Sequence, residues 1–261
     1  TKGRLLGPGG ARLRDIIRIV DAMELKDKTI IIFGASSGIG EALARSLSKD
    51  NRVGTFSRRP FNSPNQNSLH VQGDVTKPED IKNAMTVFKD KWAAIDGFIY
   101  SVGKAQITDF KKFQADDVRK LMDTNFFGFL NCLEAILPDL LTQKTGMIGM
   151  VSALMVGRSL PNGAAYFSTK AAQHVFFEGL RMDLQNQGLH FFEIRPGLVD
   201  TPMAREVDVK SDKMWSADKA AQHIIQQMKR NETDISFPLD LKLVTQSLNV
   251  LPDSAYFKIV K

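Results

Sequence analysis

Cysteine is almost missing from this chain. Its one thiol, Cys132, excludes an intramolecular disulfide and argues against a Cys-rich metal site. Because Cys132 lies in a Phe- and Leu-rich stretch, it reads as a buried thiol rather than a nucleophile. Histidine is scarce too, with four residues at no ligand spacing, so no metal site is expected. His174, in the same helical stretch as Tyr166, reads as a packing or capping residue. No apolar run approaches the roughly 18–20 residues that span a bilayer. Nor is there a basic stripe interleaved with aromatic residues, which argues against a nucleic-acid partner. What remains is the composition of a soluble, cytoplasmic globular protein: 261 residues, 43% hydrophobic and 25% charged. That length suffices for one large domain or two small ones around a substantial core.

The net charge of +6 is unevenly spread. Lys2, Arg4, Arg12, Arg14 and Arg18, set against Asp15 and Asp21, put half of it in the first 22 residues. Residues 1–22 read as an extension. Gly7-Pro-Gly-Gly10 breaks regular structure, and then Leu13, Ile16, Ile17, Val20 and Met23 recur at helical spacing, with arginines on the other face. Three readings stay open: an amphipathic helix docking on the body or on a partner, a targeting segment, or an addition ahead of a start at Met23.

From Met23 strands and helices alternate. Strands are expected over 28–33, 52–57, 68–72, 95–102, 146–152 and 190–194. Helices are expected over 40–49, 78–90 and 216–229, around Tyr166, and in a long stretch carrying Phe126, Phe127, Phe129, Leu130 and Leu133. Thr76 is a candidate cap for the helix at 78. This alternation predicts an α/β fold, a single Rossmann-like doubly wound domain with a parallel sheet over residues 23–238. Residues 239–261 form a C-terminal amphipathic segment, with Leu241, Val244, Leu248 and Leu251 at helical spacing ahead of Pro252. Packing on the body or a second subunit is expected there; closing a pocket or lying on a membrane surface are the alternatives.

Two short patterns carry chemistry. Gly34-Ala-Ser36-Ser37-Gly38-Ile39-Gly40 follows an Ile-rich strand and opens a helix, the setting in which glycines cradle phosphate. The backbone turns sharply and approaches the pyrophosphate, while the helix start offers free N–H groups and the positive end of its dipole. At the end of the second strand, where a carboxylate would hold a ribose 2′-hydroxyl, stand Ser57, Arg58 and Arg59. Guanidiniums there suit a 2′-phosphate, so NADP(H) is the expected cofactor. Far downstream, Tyr166 and Lys170 lie one helical turn apart. A free phenol has a pKa near 10, so work near neutrality needs a fall of about 2–3 units, which a neighbouring ammonium favours.

Together these patterns resemble the short-chain dehydrogenase/reductase family from about Met23 to Pro238. The loop matches that family's T-G-x-x-x-G-x-G, with Phe33 in place of threonine. The resemblance implies that Asp74 and Val75 lie against adenine, and that Tyr166 transfers a proton while Lys170 tunes it and holds the ribose. It further implies that Asn125, in Thr-Asn-Phe-Phe-Gly, supports a relay water. Pro196, Gly197, Val199 and Thr201 would hold the nicotinamide amide. The family's N-N-A-G reads Tyr100-Ser101-Val102-Gly103 here, so the backbone approach at Ser101 and Gly103 persists while the asparagine's sheet-bracing bonds are lost. The family's catalytic serine, thirteen residues before the tyrosine, falls on Ala153. Ser152 precedes it and replaces it only if the strand end bulges. The implied activity is reduction of a carbonyl or oxidation of a secondary alcohol, with binding of cofactor and little turnover as the alternative. Met155, Leu160, Met203, Met214 and Trp215 suggest an apolar pocket or equally a piece of core. A homodimer or homotetramer is implied by the resemblance alone.

Overall fold

The computed structural model describes residues 23–62, 65–208 and 211–260, so the extension at 1–22 lies outside the described residues. The fold grows from strand β1, Thr29–Phe33, whose residues Thr-Ile-Ile-Ile-Phe are all buried. A strand apolar on both faces belongs in the middle of a parallel sheet. Along the chain follow α1 (Gly38–Leu47), β2 (Arg52–Ser57), β3 (Ser68–Gln72), α2 (Pro78–Trp92) and β4 (Gly97–Tyr100). Next come α3 (Ala115–Met122), a π-helical turn (Asp123–Phe127), α4 (Gly128–Gln143), β5 (Gly146–Val151) and α5 (Ala164–Leu184). Then β6 (Leu189–Pro196), β7 (Val199–Asp200), α6 (Pro202–Glu206), β8 (Trp215–Ser216) and α7 (Ala217–Lys229) lead to β9 (Asp234–Phe237). Two helices, α8 (Leu239–Val250) and α9 (Asp253–Val260), complete the described chain.

Seven strands form one parallel sheet in the order β3-β2-β1-β4-β5-β6-β9. Its period of two sorts side chains to opposite faces. Ile30 and Ile32 join Leu43 of α1 and Ile224 of α7 on one side, while Ile31 and Phe33 join Phe88 of α2, Phe129 of α4 and Phe177 of α5 on the other. This is the doubly wound, Rossmann-like arrangement. Phe33 pairs in register with Phe56 of β2 and with Tyr100 of β4. The winding reverses between β1 and β4, and the crevice at their carboxyl ends is where this architecture binds ligands.

Some expectations change. The edge strand β9 was not anticipated; only Ile235 and Phe237 of it are buried, too short a pattern to stand out. Thr76 does not cap α2. The cap position is Lys77, with no side-chain bond, because the Thr76 hydroxyl donates back to Asp74 Oδ1 at 2.9 Å. The asparagine brace of β4 is not simply lost either, since the buried Tyr100 phenol donates to the Thr124 carbonyl and ties the sheet to the π-turn. At the C-terminus, α8 has no fully buried residue and Val244 of its apolar series is exposed. The anchor is Tyr256 of α9, 2% exposed, whose hydroxyl donates to the Ser159 carbonyl at 2.8 Å beneath the Arg158 guanidinium.

Candidate active site

The glycine loop joins β1 to α1 at the sheet's crevice. Gly34 has φ +88° and Gly38 φ +61°, both in the left-handed region that glycine enters without steric cost. Space is as binding a requirement as angle. A Cβ on Gly34 would fall 2.8 Å from the Ser101 carbonyl carbon, and one on Gly40 would fall 2.3 Å from the Gly34 oxygen. The loop is thus pressed onto the end of β4, with Ser101 N–H donating to Phe33 O at 2.9 Å. A Cβ on Gly38 would meet the Thr201 methyl at 2.9 Å, which brings the segment after β6 to the mouth of the loop. Ile39 is buried beneath it, while Ser36 and Ser37 are half-buried. The Ser37 side chain leaves the helix N–H groups uncapped. The glycines thus let the loop pack against β4 and Thr201, while the uncapped helix start offers main-chain donors of the kind a pyrophosphate requires, so a dinucleotide fits the residues present.

The end of β2 adds charge to this cradle. Arg58 and Arg59 are both exposed, and Arg59 Nη2 donates to Ser37 Oγ at 2.9 Å. The buried Ser57 hydroxyl donates to the Arg59 carbonyl at 2.7 Å and shapes the turn. Across the crevice Asp74 is held below the usual carboxylate range. Burial pushes it up, but bonds from Thr76 and the charges of Arg58 and Lys104 outweigh that. Val75 is buried against Gly128, and its carbonyl accepts from Asn131 Nδ2 at 2.9 Å.

Around Lys170 buried side chains meet main-chain carbonyls. Lys170 is 2% exposed on α5, one turn below the half-buried Tyr166, and its Nζ lies 5.7 Å from that ring's centroid. Burial brings the ammonium down to about 8, against the opposing charge of Glu193, and pushes the Tyr166 phenol up to about 12. A lysine one turn away therefore does not by itself lower this phenol; more positive charge at the site is needed. Lys170 Nζ donates to Val151 O and to Gln173 Oε1, each at 3.0 Å. Asn125 is fully buried in the π-turn. Its amide exchanges bonds with the Lys104 main chain, at 2.8 and 3.0 Å, and donates to Thr169 Oγ1 at 2.9 Å. Its main-chain oxygen accepts from Gln173 Nε2 at 2.7 Å. Asn125 thus reaches Lys170 through a side-chain amide. Gln173 escaped the sequence analysis, although its place three residues after Lys170 puts it on the same helix face.

Position 153 offers a methyl group, and the Ser152 hydroxyl turns to Glu193 Oε1 at 2.5 Å. Glu193, on β6, is 5% exposed and also binds His174 Nδ1 at 2.8 Å. That hydrogen bond raises the His174 pKa against the effect of burial. His174 is thus a partner of a buried carboxylate rather than a cap.

Further elements close the site. Gly197 N–H donates to Phe237 O at 2.7 Å, which ties the Pro196-Gly197 turn to β9. Val199 is buried, and Thr201 caps α6 by accepting from Ala204 N–H at 3.3 Å. A Cβ on Gly103 would lie 3.8 Å from Lys170 Nζ and 3.7 Å from Met203 Sδ, so the backbone after β4, the lysine and the start of α6 converge. Of the other apolar candidates, Met155 is buried beside Tyr256 and Leu160 is exposed. Trp215 stacks on Phe237 at 5.1 Å and packs with the core. Of the expected apolar set, Met203 is the residue placed with Lys170 around Gly103.

A family model described as short chain dehydrogenase matches residues 28–212. An uncharacterized oxidoreductase of Staphylococcus epidermidis is 32% identical over 215 residues, spanning 77% of this chain and 91% of that protein. One from Myxococcus xanthus is 28% identical over 246 residues, spanning 89% and 96%. Among solved structures, a short chain dehydrogenase from Burkholderia cenocepacia in complex with NADP superposes with a TM-score of 0.80 at 21% identity, covering 92% of this chain and all of that one. That last likeness is one of fold.

Proposed function

The chain belongs to the short-chain dehydrogenase family, and from that premise we propose that it is an NADP(H)-dependent oxidoreductase acting on a carbonyl or a secondary alcohol. The observation that carries this reading is the convergence at Gly103, where the strand end that backs the glycine loop also backs Lys170. When bound, the nicotinamide supplies or accepts the hydride. The chain's own part is to hold the cofactor and move the proton. The loop at Gly34, Gly38 and Gly40 offers main-chain donors to the pyrophosphate, and Arg58 and Arg59 offer guanidiniums to a 2′-phosphate. NADP in the Burkholderia complex supports the same choice of cofactor. Tyr166 Oη gives the proton to the forming alkoxide, and Lys170 stabilises the phenolate that results. Holding both groups on one rigid helix fixes their spacing relative to the reacting carbon.

A second reading has its own observation. Ala153 supplies no hydroxyl and Ser152 spends its own on Glu193. Loss of one oxyanion donor typically costs about 10²–10³ in rate, so a protein that binds NADP(H) and turns over little is the alternative. NADPH oxidation against a broad carbonyl panel, with wild type, Ala153→Ser and Tyr166→Phe, separates the two. Turnover by either of the first two that Tyr166→Phe abolishes supports the oxidoreductase; tight NADPH binding with no turnover by any of the three supports the binding protein. Exposed Phe127, Val175 and Phe176, beside Phe126, support association of copies through the π-turn and α5. Among the described residues no helix is long and apolar enough to cross a membrane.

A further inference from the structure

We propose that Gln173 is the positioning residue of Lys170: its side-chain amide bridges the ammonium to the Asn125 carbonyl and fills the place from which a water would pass protons between them. This rests on the reading of Lys170 as the residue that tunes Tyr166. Gln173 is fully buried, and both ends of its amide are used, at 3.0 Å to Lys170 Nζ and 2.7 Å to Asn125 O. The amide's orientation follows from its neighbours, since a flipped group would set NH₂ against an ammonium and oxygen against a carbonyl. The π-turn makes the bridge possible by breaking the regular helical ladder next to Asn125.

Two consequences follow. A carboxamide neither gains nor loses a proton near neutral pH, so the bridge fixes geometry without conducting. It also accepts from the charged form of Lys170, which favours that form against burial. The titratable groups facing Lys170 are Tyr166 on its own helix and Glu193 from β6, with His174 bound to Glu193; Arg195 and Glu178 act on His174 in turn. From the strand-end side come main-chain groups, Val151 O and the backbone at Gly103. None of these other groups joins Lys170 to Asn125, so the link between them is Gln173.

The test is the titration of Lys170 in the full chain, read by NMR of isotope-labelled lysine and assigned with Lys170→Arg. Gln173→Met keeps the length and removes both polar ends; Gln173→Ala leaves room for a water. The bridge predicts that the Lys170 midpoint falls by about one pH unit or more in the Met variant, and by less in the Ala variant, where water restores an acceptor. A residue that only packs predicts the reverse order, because methionine fills the space and alanine does not. An unmoved midpoint in Gln173→Met, or a larger fall in Gln173→Ala, overturns the proposal. If the Met variant does not fold, a crystal structure of Gln173→Ala decides: a water joining Lys170 Nζ to Asn125 O is expected, and a dry collapse overturns it. NADPH binding to the same samples, followed by fluorescence, judges the cofactor reading separately. Failure of wild type to bind NADPH would sink that reading while leaving the titration result intact.

Discussion

In the glycine loop the candidate groups are main-chain N–H groups, set there by glycines that let the loop press onto β4; around Lys170 they are buried side chains of α5 and main-chain carbonyls of the π-turn and β5. The first region is partly open to solvent, with Arg58 and Arg59 exposed. The second is buried: burial brings the lysine down to about 8 and strengthens each hydrogen bond it donates. On the proposed function, the contrast separates binding from proton transfer within one crevice. Changes to the cradle are expected to act on affinity and backbone strain, and changes near Lys170 on rate and on pH dependence.

The sharpest separation comes from Tyr166→Phe. It is expected to lower turnover by about 10²–10⁴ and to leave NADPH affinity within a small factor of wild type, as seen by steady-state kinetics beside fluorescence titration. In the opposite direction, Ala153→Ser restores a hydroxyl at the strand end. An increase in kcat toward the roughly 10²–10³ ascribed to one oxyanion donor is expected, with little change in cofactor binding. Stability gives a third contrast. The folded Lys170 releases its proton near 8, whereas the unfolded side chain keeps it to about 10.5. Between those values the unfolded chain binds more protons, so wild-type stability rises with pH across that window; below it both states are protonated and the penalty is constant. In denaturant titrations the stability of wild type relative to Lys170→Met should rise across that window by up to about 3 kcal/mol as the penalty is relieved, and a flat difference would show that the lysine is not desolvated. On the cradle side, Gly34→Ala forces a side chain into φ +88° and against Ser101. It is expected to cost about 1–2 kcal/mol for the backbone alone and to abolish NADPH binding while the Lys170 titration stays in place. The smallest effect belongs to Arg58→Ala, expected to reduce the preference for NADPH over NADH by about tenfold and to leave turnover with saturating cofactor unchanged.

How much of this was legible in the sequence follows the same divide. The glycine loop could be located from spacing alone because its determinants are local: a strand, a turn that needs positive φ, and a helix start. Arg58 and Arg59 were found by counting to the end of β2 for the same reason. The sheet followed from buried β-branched runs such as Thr29–Phe33. What spacing could not show is which side chain would meet which across elements. Gln173 to Asn125, Ser152 to Glu193 and Tyr100 to Thr124 join residues 24 to 48 positions apart. Each adds a contact that spacing did not suggest, and the last supplies a brace for β4 that the change from asparagine to Tyr100 was expected to remove. Strand β9 and the anchor at Tyr256 were missed because each buries too few residues to form a pattern.

On the proposed function, one crevice delivers a hydride and the Tyr166 proton to the same carbonyl. The most direct measurement is recovery of deuterium at the carbinol carbon when wild type or Ala153→Ser reduces carbonyl compounds with NADPH deuterated at its hydride position. Labelled alcohol from either protein, and none above background from Tyr166→Phe, is the predicted result. Tight NADPH binding with no labelled alcohol from any carbonyl offered would contradict it.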